Sequence, residues 1–386
     1  MFQNTHPPLT PTESALESRH FTRVIRAFQS YRAHSLAAMA KRRRDLASLG
    51  DDHRAILSGL EEKIGGAEEG VRRNGVVMEE VARGYGYGAV EDEDEVAEVG
   101  EKTRGGEHDQ SHEHSHSSHS TEQDMDKVRS TIRQFYRDWS TEGAEERRTS
   151  YGPILEAIEG RYKGLQVEER GAVRVLVPGA GLGRLAYEVV RRGFTCQGNE
   201  FSFYMLLGSH FILNHTTHTR QHTIYPWIHS FSNHLTSHSL LTPISIPDVL
   251  PGSIPPTADF SMVAGDFTEV YGVGAEEQRG AWDVVATCFF LDTAKNVVEY
   301  VDAVSWCLGE GGVWVNLGPL LFHWEGMPNE VSIELTWEEL KAVILARGFR
   351  ITEERTLHTT YASNPTGMLT YNYEVVFFVA EKMAKE

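Results

Sequence analysis

Hydrophobic positions in the first third of the chain recur at the three-to-four-residue spacing of a helix, and residues 1 to about 14 before them are polar and proline-rich. The clearest members of this pattern are Phe21, Val24, Ile25, Phe28 and Tyr31, continued by Leu36, Met39, Leu46, Leu57 and Leu60. We therefore predict a loose tail that leads into an N-terminal helical region, with residues 1–85 as one unit. The basic run Lys41–Arg44 within it fits a solvated helix face better than a targeting signal, because four basic residues form a short run.

The next segment, residues 86–126, has almost no apolar residues. Between Glu91 and Asp126 it carries thirteen acidic and two basic residues. Such a segment cannot bury enough apolar surface to fold, so we predict a disordered insertion. Its histidines are able to bind a metal only loosely, since no fixed geometry is implied, and we predict no metal site. These histidines are His108, His112, His114, His116 and His119.

From Lys127 onwards the pattern becomes regular and predicts a single domain over residues 127–386. Two helices are expected up to about residue 162, followed by strand-like runs that alternate with helical ones. This alternation favours an α/β fold with a parallel sheet covered by helices. The strand-like runs are 173–179, 194–200, 260–267, 282–292 and 311–320.

Two features depart from this alternation. The last two strand-like runs have no helix-length pattern between them, which predicts an antiparallel hairpin at the sheet edge. Residues 214–258 hold six histidines and several prolines. We predict an irregular excursion there, near the active-site face.

Composition narrows the class of protein. Of 386 residues, 37 are Lys or Arg and 55 are Asp or Glu, for a net charge of −18. Most of this excess lies in the acidic segment, so the rest is mildly acidic and offers no basic face for nucleic acid. Three distant cysteines fit a reducing compartment, and no apolar run is long enough for a membrane span. With no apolar stretch typical of a secretion signal at the N-terminus, we expect a cytoplasmic protein, with the nucleus as a second location.

The stretch VRVLVPGAGLGRLAYEVVRRG carries the first chemical signal. A buried strand leads into Gly179, Gly181 and Gly183, and a helix follows. Glycines let the backbone turn sharply and approach a ligand, while the helix N-terminus offers free N–H groups. Glu200 ends the next strand, where a carboxylate can accept both hydroxyls of a ribose. The arrangement predicts a cofactor that contains adenosine, either NAD(P) or S-adenosylmethionine.

Three observations favour S-adenosylmethionine. The terminal hairpin suits the seven-stranded methyltransferase sheet, whose last strand is antiparallel. Asp266 and Phe267 follow the third strand, where an acid and an aromatic ring can bracket an adenine. Cys288 and Asp292 follow the fourth strand, at the edge where open α/β sheets bind ligands.

Several longer stretches are more specific than the glycine loop. RQFYRDWS, LVPGAGLGRLAYE, GNEFSFYML, GDFTEVY, TCFFLDTAKNV, NLGPLLFHWE and YEVVFFV resemble the carnosine N-methyltransferase family, strongly over residues 127–382 and weakly over 15–85. The resemblance implies a seven-stranded, Rossmann-like class I methyltransferase sheet with an antiparallel terminal hairpin. It also implies transfer of a methyl group from S-adenosylmethionine to the imidazole of carnosine, a small histidyl dipeptide, giving anserine. A homodimer is implied as well.

The resemblance assigns roles residue by residue. On the cofactor side, Gln134 and Arg137 would hold the methionine end, although the pattern alone would make them an amphipathic helix surface. Glu200 would bind the ribose. The other cofactor-binding residues would be Gly179, Gly181, Asp266, Phe267 and Cys288.

On the substrate side, the resemblance implicates Asp292, His323, Tyr361 and Tyr373. Simpler explanations exist for each, since Asp292 could cap the helix that follows, His323 could be a core histidine, and the tyrosines could pack on edge strands. Asp292 or His323 would accept the hydrogen bond from the second imidazole nitrogen, and one of them would take up the proton. The sequence does not rank the two.

Other functions stay open at this stage. A methyltransferase of the same fold could act on another histidine-containing peptide or on a protein histidine. An NAD(P)-dependent oxidoreductase disagrees with the hairpin and the longer motifs. A scaffold that binds the cofactor only for stability is disfavoured because every expected site residue is present.

Overall fold

The computed structural model describes residues 11–84 and 120–384. Its helices are α1 (Pro11–Ala47), α2 (Asp51–Ile56), α3 (Ser58–Arg83), α4 (Glu122–Trp139), α5 (Ala144–Ser150), α6 (Gly152–Arg161), α7 (Arg184–Arg191), α8 (Phe203–Asn214), α9 (Ser237–Leu241), α10 (Phe267–Tyr271), α11 (Val297–Cys307) and α12 (Trp337–Ala346). Its strands are β1 (Arg174–Pro178), β2 (Thr195–Glu200), β3 (His222–Ile224), β4 (Ile244–Ile246), β5 (Phe260–Ala264), β6 (Trp282–Cys288), β7 (Leu308–Gly318), β8 (Phe349–Thr359) and β9 (Tyr373–Lys382).

Seven of these strands form one sheet, in the order β5-β2-β1-β6-β7-β9-β8. The first five strands in this order pair in parallel, while β9 lies antiparallel between β7 and β8. The predicted α/β fold with an antiparallel terminal hairpin is confirmed. Because β8 runs parallel to β7, the carboxyl ends of six strands and the start of β9 meet at one edge of the sheet. Ligands of open α/β sheets bind at this edge.

Helix α4 begins inside the segment that the sequence predicted to be unfolded. The Thr121 hydroxyl accepts from the backbone N–H of Asp124, and the Asp124 carboxylate accepts from the backbone N–H of Thr121. This capping box satisfies donors that a helix start leaves free, and Asp124 and Met125 are buried. The predicted disorder is therefore wrong for residues 122–126. The remaining boundaries of the units 1–85, 86–126 and 127–386 stay a prediction, and the histidines at 108–119 lie outside the described residues.

The N-terminal helices share a hydrophobic core with α4 and α8. Phe28 of α1 lies 5.7 Å from Tyr204 of α8, measured between ring centroids. The hydroxyl of Tyr204 donates to the buried carboxylate of Asp124 over 2.9 Å. In the described structure these helices therefore pack directly on the helices that cover the sheet.

The chain from Lys127 to about residue 162 forms three helices rather than the predicted two. The break after α4 occurs at Ser140, whose hydroxyl accepts from the backbone N–H of Gly143. A Cβ at position 143 would lie 2.4 Å from the carbonyl oxygen of Arg137, so only glycine fits this tight turn.

The excursion over residues 214–258 is more regular than predicted. Strands β3 and β4 pair antiparallel, and their isoleucines Ile224, Ile244 and Ile246 are buried in the N-terminal core. Beyond β4, the carboxylate of Asp248 pairs with Arg147 at 2.7 Å and with Arg184 at 2.6 Å. The buried isoleucines and the ion pairs of Asp248 hold this segment in a regular structure. Its prolines had led to the prediction of an irregular one.

None of the helices in the described ranges is long and apolar enough to cross a membrane. Among the same residues, no group of three or more metal-ligating side chains converges.

Candidate active site

The glycine loop after β1 forms a cradle at the carboxyl edge of the sheet. Gly179, Gly181 and Gly183 have φ angles of 64°, 56° and 79°, values that residues other than glycine rarely adopt. A Cβ on Gly179 would lie 2.6 Å from the Phe290 ring, whereas a Cβ on Gly181 would project into open space. The loop therefore leaves room for a ligand over Gly181.

Glu200 closes this cradle from the end of β2. Its Oε2 accepts from the backbone N–H of Gly181 at 2.8 Å, and its Oε1 accepts from those of Phe201 and Ser202 at 2.9 and 2.8 Å. Burial raises the pKa of the Glu200 carboxyl, and the three N–H donors oppose that rise. Oε1 already accepts two hydrogen bonds, whereas Oε2 accepts one and can accept another, which gives a ribose hydroxyl a partner beside the glycine loop.

Gln134 and Arg137 lie on α4 and are both buried, so the amphipathic-surface explanation is wrong. The side-chain amide of Gln134 donates to the hydroxyl of Tyr361 over 2.8 Å. The Arg137 guanidinium lies 4.7 Å from the centroid of the same Tyr361 ring. Both residues thus face the connection between β8 and β9.

Arg137 is held by a buried network that the sequence did not indicate. Its Nη1 donates to the Asp138 carboxylate at 2.9 Å and to the Tyr151 hydroxyl, and its Nε lies 3.0 Å from a Glu146 oxygen. These partners, with the negative charge of Asp138 nearby, raise the pKa of Arg137 despite its burial. Its Nη2 has only a 3.5 Å contact to the Ser150 hydroxyl and is the donor available for a further acceptor.

Asp266 and Phe267 follow β5 as predicted but have different environments. The Asp266 carboxylate caps α10 by accepting from the backbone N–H and the hydroxyl of Thr268 at 2.8 and 2.6 Å. Phe267 is 3% exposed and packs edge-on against Phe290 and Tyr300. Asp266 therefore borders the cleft, while the ring of Phe267 belongs to the core beneath it.

Cys288 ends β6 and is partly exposed. Burial of the thiol raises its pKa to about 12, and the nearby Arg137 opposes that shift. The thiol is therefore protonated at neutral pH. It contributes a neutral wall to the cleft rather than a nucleophile.

Asp292 is the most unusual group at this edge. Its side chain is 3% exposed, and Oδ1 is buried without a hydrogen-bond partner in the described structure. Burial raises its pKa from 3.8 to about 7. The helix α11 is capped by Asn296, which accepts from the backbone N–H of Val298, so Asp292 does not cap it. A buried carboxylate oxygen without a partner is costly, and a ligand donor at this edge would remove that cost.

His323 lies next to Asp292, because its backbone N–H donates to the Asp292 carbonyl oxygen over 2.9 Å. The histidine side chain is exposed, so the core-residue explanation is wrong. Partial burial, and the positive charge of Lys127, lower the pKa of His323. Its imidazole is neutral at physiological pH and can accept a hydrogen bond.

Tyr361 and Tyr373 both contact the ring of Phe289. Their ring centroids are 4.7 and 5.5 Å from that of Phe289. Phe289 has a φ of 53°, and its backbone N–H donates to the Leu317 carbonyl over 2.9 Å. A non-glycine residue in the left-handed region at a strand end indicates strain held by its surroundings, which is typical of functional sites.

Sequence reasoning missed Phe289, Asp138, Glu146 and Tyr151. Glu146 accepts from the Thr360 hydroxyl at 2.7 Å and from the backbone N–H of Ala362 at 2.6 Å, which fixes the segment that carries Tyr361. Its partners lie more than 200 residues away in the chain, so no local pattern could reveal this role. The FF pair after β6 is the one signal that could have drawn attention to Phe289.

The connection that carries Tyr361 is also fixed from outside the sheet. The backbone N–H of Met368 donates to the Asn233 carbonyl oxygen over 2.9 Å, and His234 pairs with Gly367 as an isolated antiparallel bridge. The excursion after α8 therefore forms part of the rim of the cleft.

A family model described as carnosine N-methyltransferase matches residues 114–384 of the chain. The chain belongs to the carnosine N-methyltransferase family. It is 39% identical over 383 residues to a rat protein named carnosine N-methyltransferase, covering 97% of this chain and 90% of the relative. A Schizosaccharomyces pombe protein of the same name is 46% identical over 265 residues, covering 66% of this chain and 70% of the relative. A Drosophila melanogaster relative, carnosine N-methyltransferase unmet, is 36% identical over 371 residues, covering 95% of this chain and 80% of the relative.

Membership in this family confirms the predicted family, fold class and enzyme class, and it agrees with S-adenosylmethionine as the methyl donor. Solved structures that superpose on part of the chain include the Bacillus subtilis YcgJ protein, at 12% identity and a TM-score of 0.38, covering 61% of this chain and 98% of that one. The fold assignment rests on the strand order rather than on this superposition.

Proposed function

We propose that this protein transfers a methyl group from S-adenosylmethionine to an imidazole nitrogen of carnosine, giving anserine. Family membership supports the reaction, and the buried, unpartnered carboxylate oxygen of Asp292 is the structural observation that carries it. An imidazole that presents one nitrogen to the methyl group has an N–H on the other side of its ring. Asp292 supplies an acceptor for that N–H at the edge of the sheet where substrates bind.

The hydrogen-bonding groups around the cradle fit S-adenosylmethionine. Glu200 would hold the ribose hydroxyls, the open space over Gly181 would admit the nucleoside, and Asp266 would border the adenine. The Nη2 of Arg137, whose contact to the Ser150 hydroxyl is long at 3.5 Å, and the amide of Gln134 would hold the amino-acid end, since a guanidinium pairs well with a carboxylate. When bound, the cofactor supplies an electrophilic methyl group on a sulfonium sulfur.

The protein's main task is then to orient a neutral imidazole. A bond forms between the imidazole nitrogen and the methyl carbon as the bond from that carbon to sulfur breaks, and the ring becomes an imidazolium. Asp292, once ionised, accepts the hydrogen bond from the remaining N–H, fixes the tautomer and takes up the proton. A pKa of about 7 suits a group that must accept a proton at neutral pH and release it again.

The neighbouring residues complete the substrate side. His323 is held beside Asp292 by the backbone hydrogen bond. Its neutral imidazole adds a second acceptor, next to the ionised carboxylate of Asp292. Tyr361 and Tyr373, arranged around Phe289, provide aromatic walls for the imidazole ring. Aromatic rings bind a developing cation favourably, which suits the imidazolium product.

The test is incubation of the purified protein with S-adenosylmethionine and carnosine, followed by mass spectrometry and NMR of the dipeptide. We expect the gain of one methyl group on the imidazole and no product from β-alanyl-alanine, which lacks the ring. Binding of S-adenosylmethionine without transfer to carnosine would refute the proposal that carnosine is the substrate. It would leave the proposed cofactor site intact. Other histidyl peptides and protein histidines would then be the acceptors to examine.

The proposal extends to two properties implied by the family resemblance and by composition. One is a homodimer, which sedimentation velocity would detect as a species of twice the chain mass. The other is a cytoplasmic or nuclear location, which imaging of the tagged protein would test.

A further inference from the structure

The basic run Lys41–Arg44 does not form one uniform solvated face. Lys41 pairs with Asp45 one turn further along α1 at 2.7 Å. Arg43 pairs with Glu68 of α3, with its Nε 2.6 Å from the carboxylate. Arg42 points elsewhere, and its guanidinium carbon lies 4.0 Å from the centroid of the Phe231 ring.

Arg42 lines a cleft together with two arginines of α4. Arg129 and Arg133 lie one turn apart on that helix, and the segment 226–232 closes the other side of the cleft, whose volume is about 580 Å³. We call this site the arginine cleft. Its lining residues are not among those that the proposed methyl transfer uses.

The arginines of the cleft have more donors than acceptors. Within residues 11–84 and 120–384, the guanidinium groups of Arg42 and Arg133 form no hydrogen bond and no ion pair. The Nε atoms of Arg42 and Arg129 are buried without an acceptor. Arg129 pairs with Glu122 at 2.5 Å and with Asp126 at 2.9 Å, and Asp126 also attracts the exposed Arg133. Buried donors without acceptors are rare in folded proteins because they lose the hydrogen bonds that water would supply.

The neighbouring histidine reports the positive potential of the cleft. His229 is half-buried, and its Nε2 lies 2.8 Å from the hydroxyl of Tyr31. Burial, together with the positive charges of Arg129 and Arg133, lowers the pKa of His229 to about 3. The imidazole is therefore neutral at physiological pH, and the charge of the cleft comes from its arginines.

We propose that the arginine cleft binds a phosphate-type dianion, either inorganic phosphate or the phosphate group of a small phosphorylated molecule. Guanidinium groups that converge from two helices present planar pairs of N–H donors, which match the oxygens of a phosphate. The charged groups at the cleft, Arg42, Arg129 and Arg133 against Glu122 and Asp126, leave an excess of positive charge that favours an anion. The aromatic ring of Phe231 at the wall offers a contact for the organic part of a phosphate monoester.

Isothermal titration calorimetry at constant ionic strength tests this proposal, with S-adenosylhomocysteine present in excess to fill the donor site. The probes are inorganic phosphate and phenyl phosphate, and benzyl alcohol serves as the uncharged control. We expect both phosphates to bind one site per chain and benzyl alcohol not to bind. Tighter binding of phenyl phosphate would identify an organic phosphate as the preferred source, and equal binding would identify free phosphate.

Arg42→Gln and Arg133→Gln should each weaken phosphate binding by about tenfold or more, because each removes a charge-assisted contact. Arg44→Gln is the matched control, since it removes one charge from the same basic run on an exposed side chain. The variants lie on different helices, and thermal melting would verify the folding of each. Absence of binding to the unsubstituted protein, or equal loss of affinity in all three variants, would overturn the proposal.

Discussion

The backbone N–H of His323 donates to the carbonyl oxygen of Asp292 over 2.9 Å. This hydrogen bond joins the loop after β7, which carries His323, to the turn after β6, which carries Asp292. These are the two candidate catalytic residues. Their environments differ, since Asp292 is 3% exposed and His323 is exposed. The fold thus distinguishes a buried carboxylate from a solvent-exposed imidazole, and this difference leads us to propose Asp292 as the proton acceptor.

Asp292→Asn should abolish methyl transfer and stabilise the fold at alkaline pH. The pKa of Asp292 is raised to about 7, so the folded state binds the proton more tightly than the unfolded state. The associated stability is complete below the unfolded pKa near 4 and is lost as pH rises through 7. We expect the variant to exceed the unsubstituted protein by about 2–4 kcal/mol in free energy of unfolding at pH 8, and by much less at pH 5.

Urea unfolding at the two pH values measures this difference. Asp259→Asn, which makes the same change on an exposed residue, should leave the pH dependence of stability unchanged. Equal stability of Asp292→Asn and the unsubstituted protein at pH 8 would contradict the assigned pKa.

His323→Ala should lower kcat more than tenfold, equivalent to about 1.4 kcal/mol of barrier, while the donor dissociation constant changes less than twofold. The reason is that His323 is bonded through its backbone to Asp292 on the proposed substrate side, whereas the glycine cradle proposed for the donor follows β1. Steady-state kinetics and donor calorimetry separate the two effects. His358→Ala, on an exposed histidine of β8, is the control. Turnover within tenfold of the unsubstituted protein would remove His323 from the catalytic groups.

Glu200→Gln should weaken donor binding by about tenfold to a hundredfold, because a neutral amide accepts ribose hydroxyls less strongly and places an NH₂ against a backbone N–H donor. Calorimetry with S-adenosylhomocysteine measures the loss. Glu381→Gln, which disturbs surface ion pairs on β9, should bind as the unsubstituted protein does. Unchanged affinity in Glu200→Gln would exclude the ribose role.

Tyr361→Phe removes the hydroxyl that accepts from the Gln134 amide over 2.8 Å. We expect a loss of about 1 kcal/mol in transition-state stabilisation, or roughly fivefold in kcat/KM, since the amide loses the partner that orients it. Tyr371→Phe is a matched control because Tyr371 lies on the same connection and is 69% exposed. An equal effect in both variants would show that the loss does not depend on Gln134.

Asp248→Asn should destabilise the protein by about 3–5 kcal/mol, because it leaves two buried arginines, Arg147 and Arg184, without their shared carboxylate. Arg184 begins the helix that follows the glycine loop, so donor affinity should fall as well. Thermal unfolding and donor calorimetry check both effects. A melting temperature like that of Asp259→Asn would show that the ion pairs of Asp248 with Arg147 and Arg184 contribute little to stability.

Local pattern predicted most of the sheet. Each strand-like run contains a strand at nearly the predicted position. Buried strands and apolar helices are specified by nearby residues, and the parallel order then brings Gly181, Glu200 and Asp292 to one edge. These positions follow from topology once the strands are correct.

What the sequence did not reveal depends on distant contacts. Phe267 looked like an adenine neighbour, yet α10 begins there and its ring turns into the core against Phe290 and Tyr300. Glu146 was not singled out from the sequence, yet it fixes residues 360–363. Such roles are set by tertiary packing, which composition and periodicity do not encode.

The bond between Met368 and Asn233 makes the rim of the cleft a two-part structure from segments more than 130 positions apart in the chain. A chimera that exchanges only the β8–β9 connection with that of a relative would lack the matching segment around Asn233, which forms the other half of the rim. Successful transplantation of acceptor preference between family members therefore calls for moving residues 226–236 and 360–372 together, as one module.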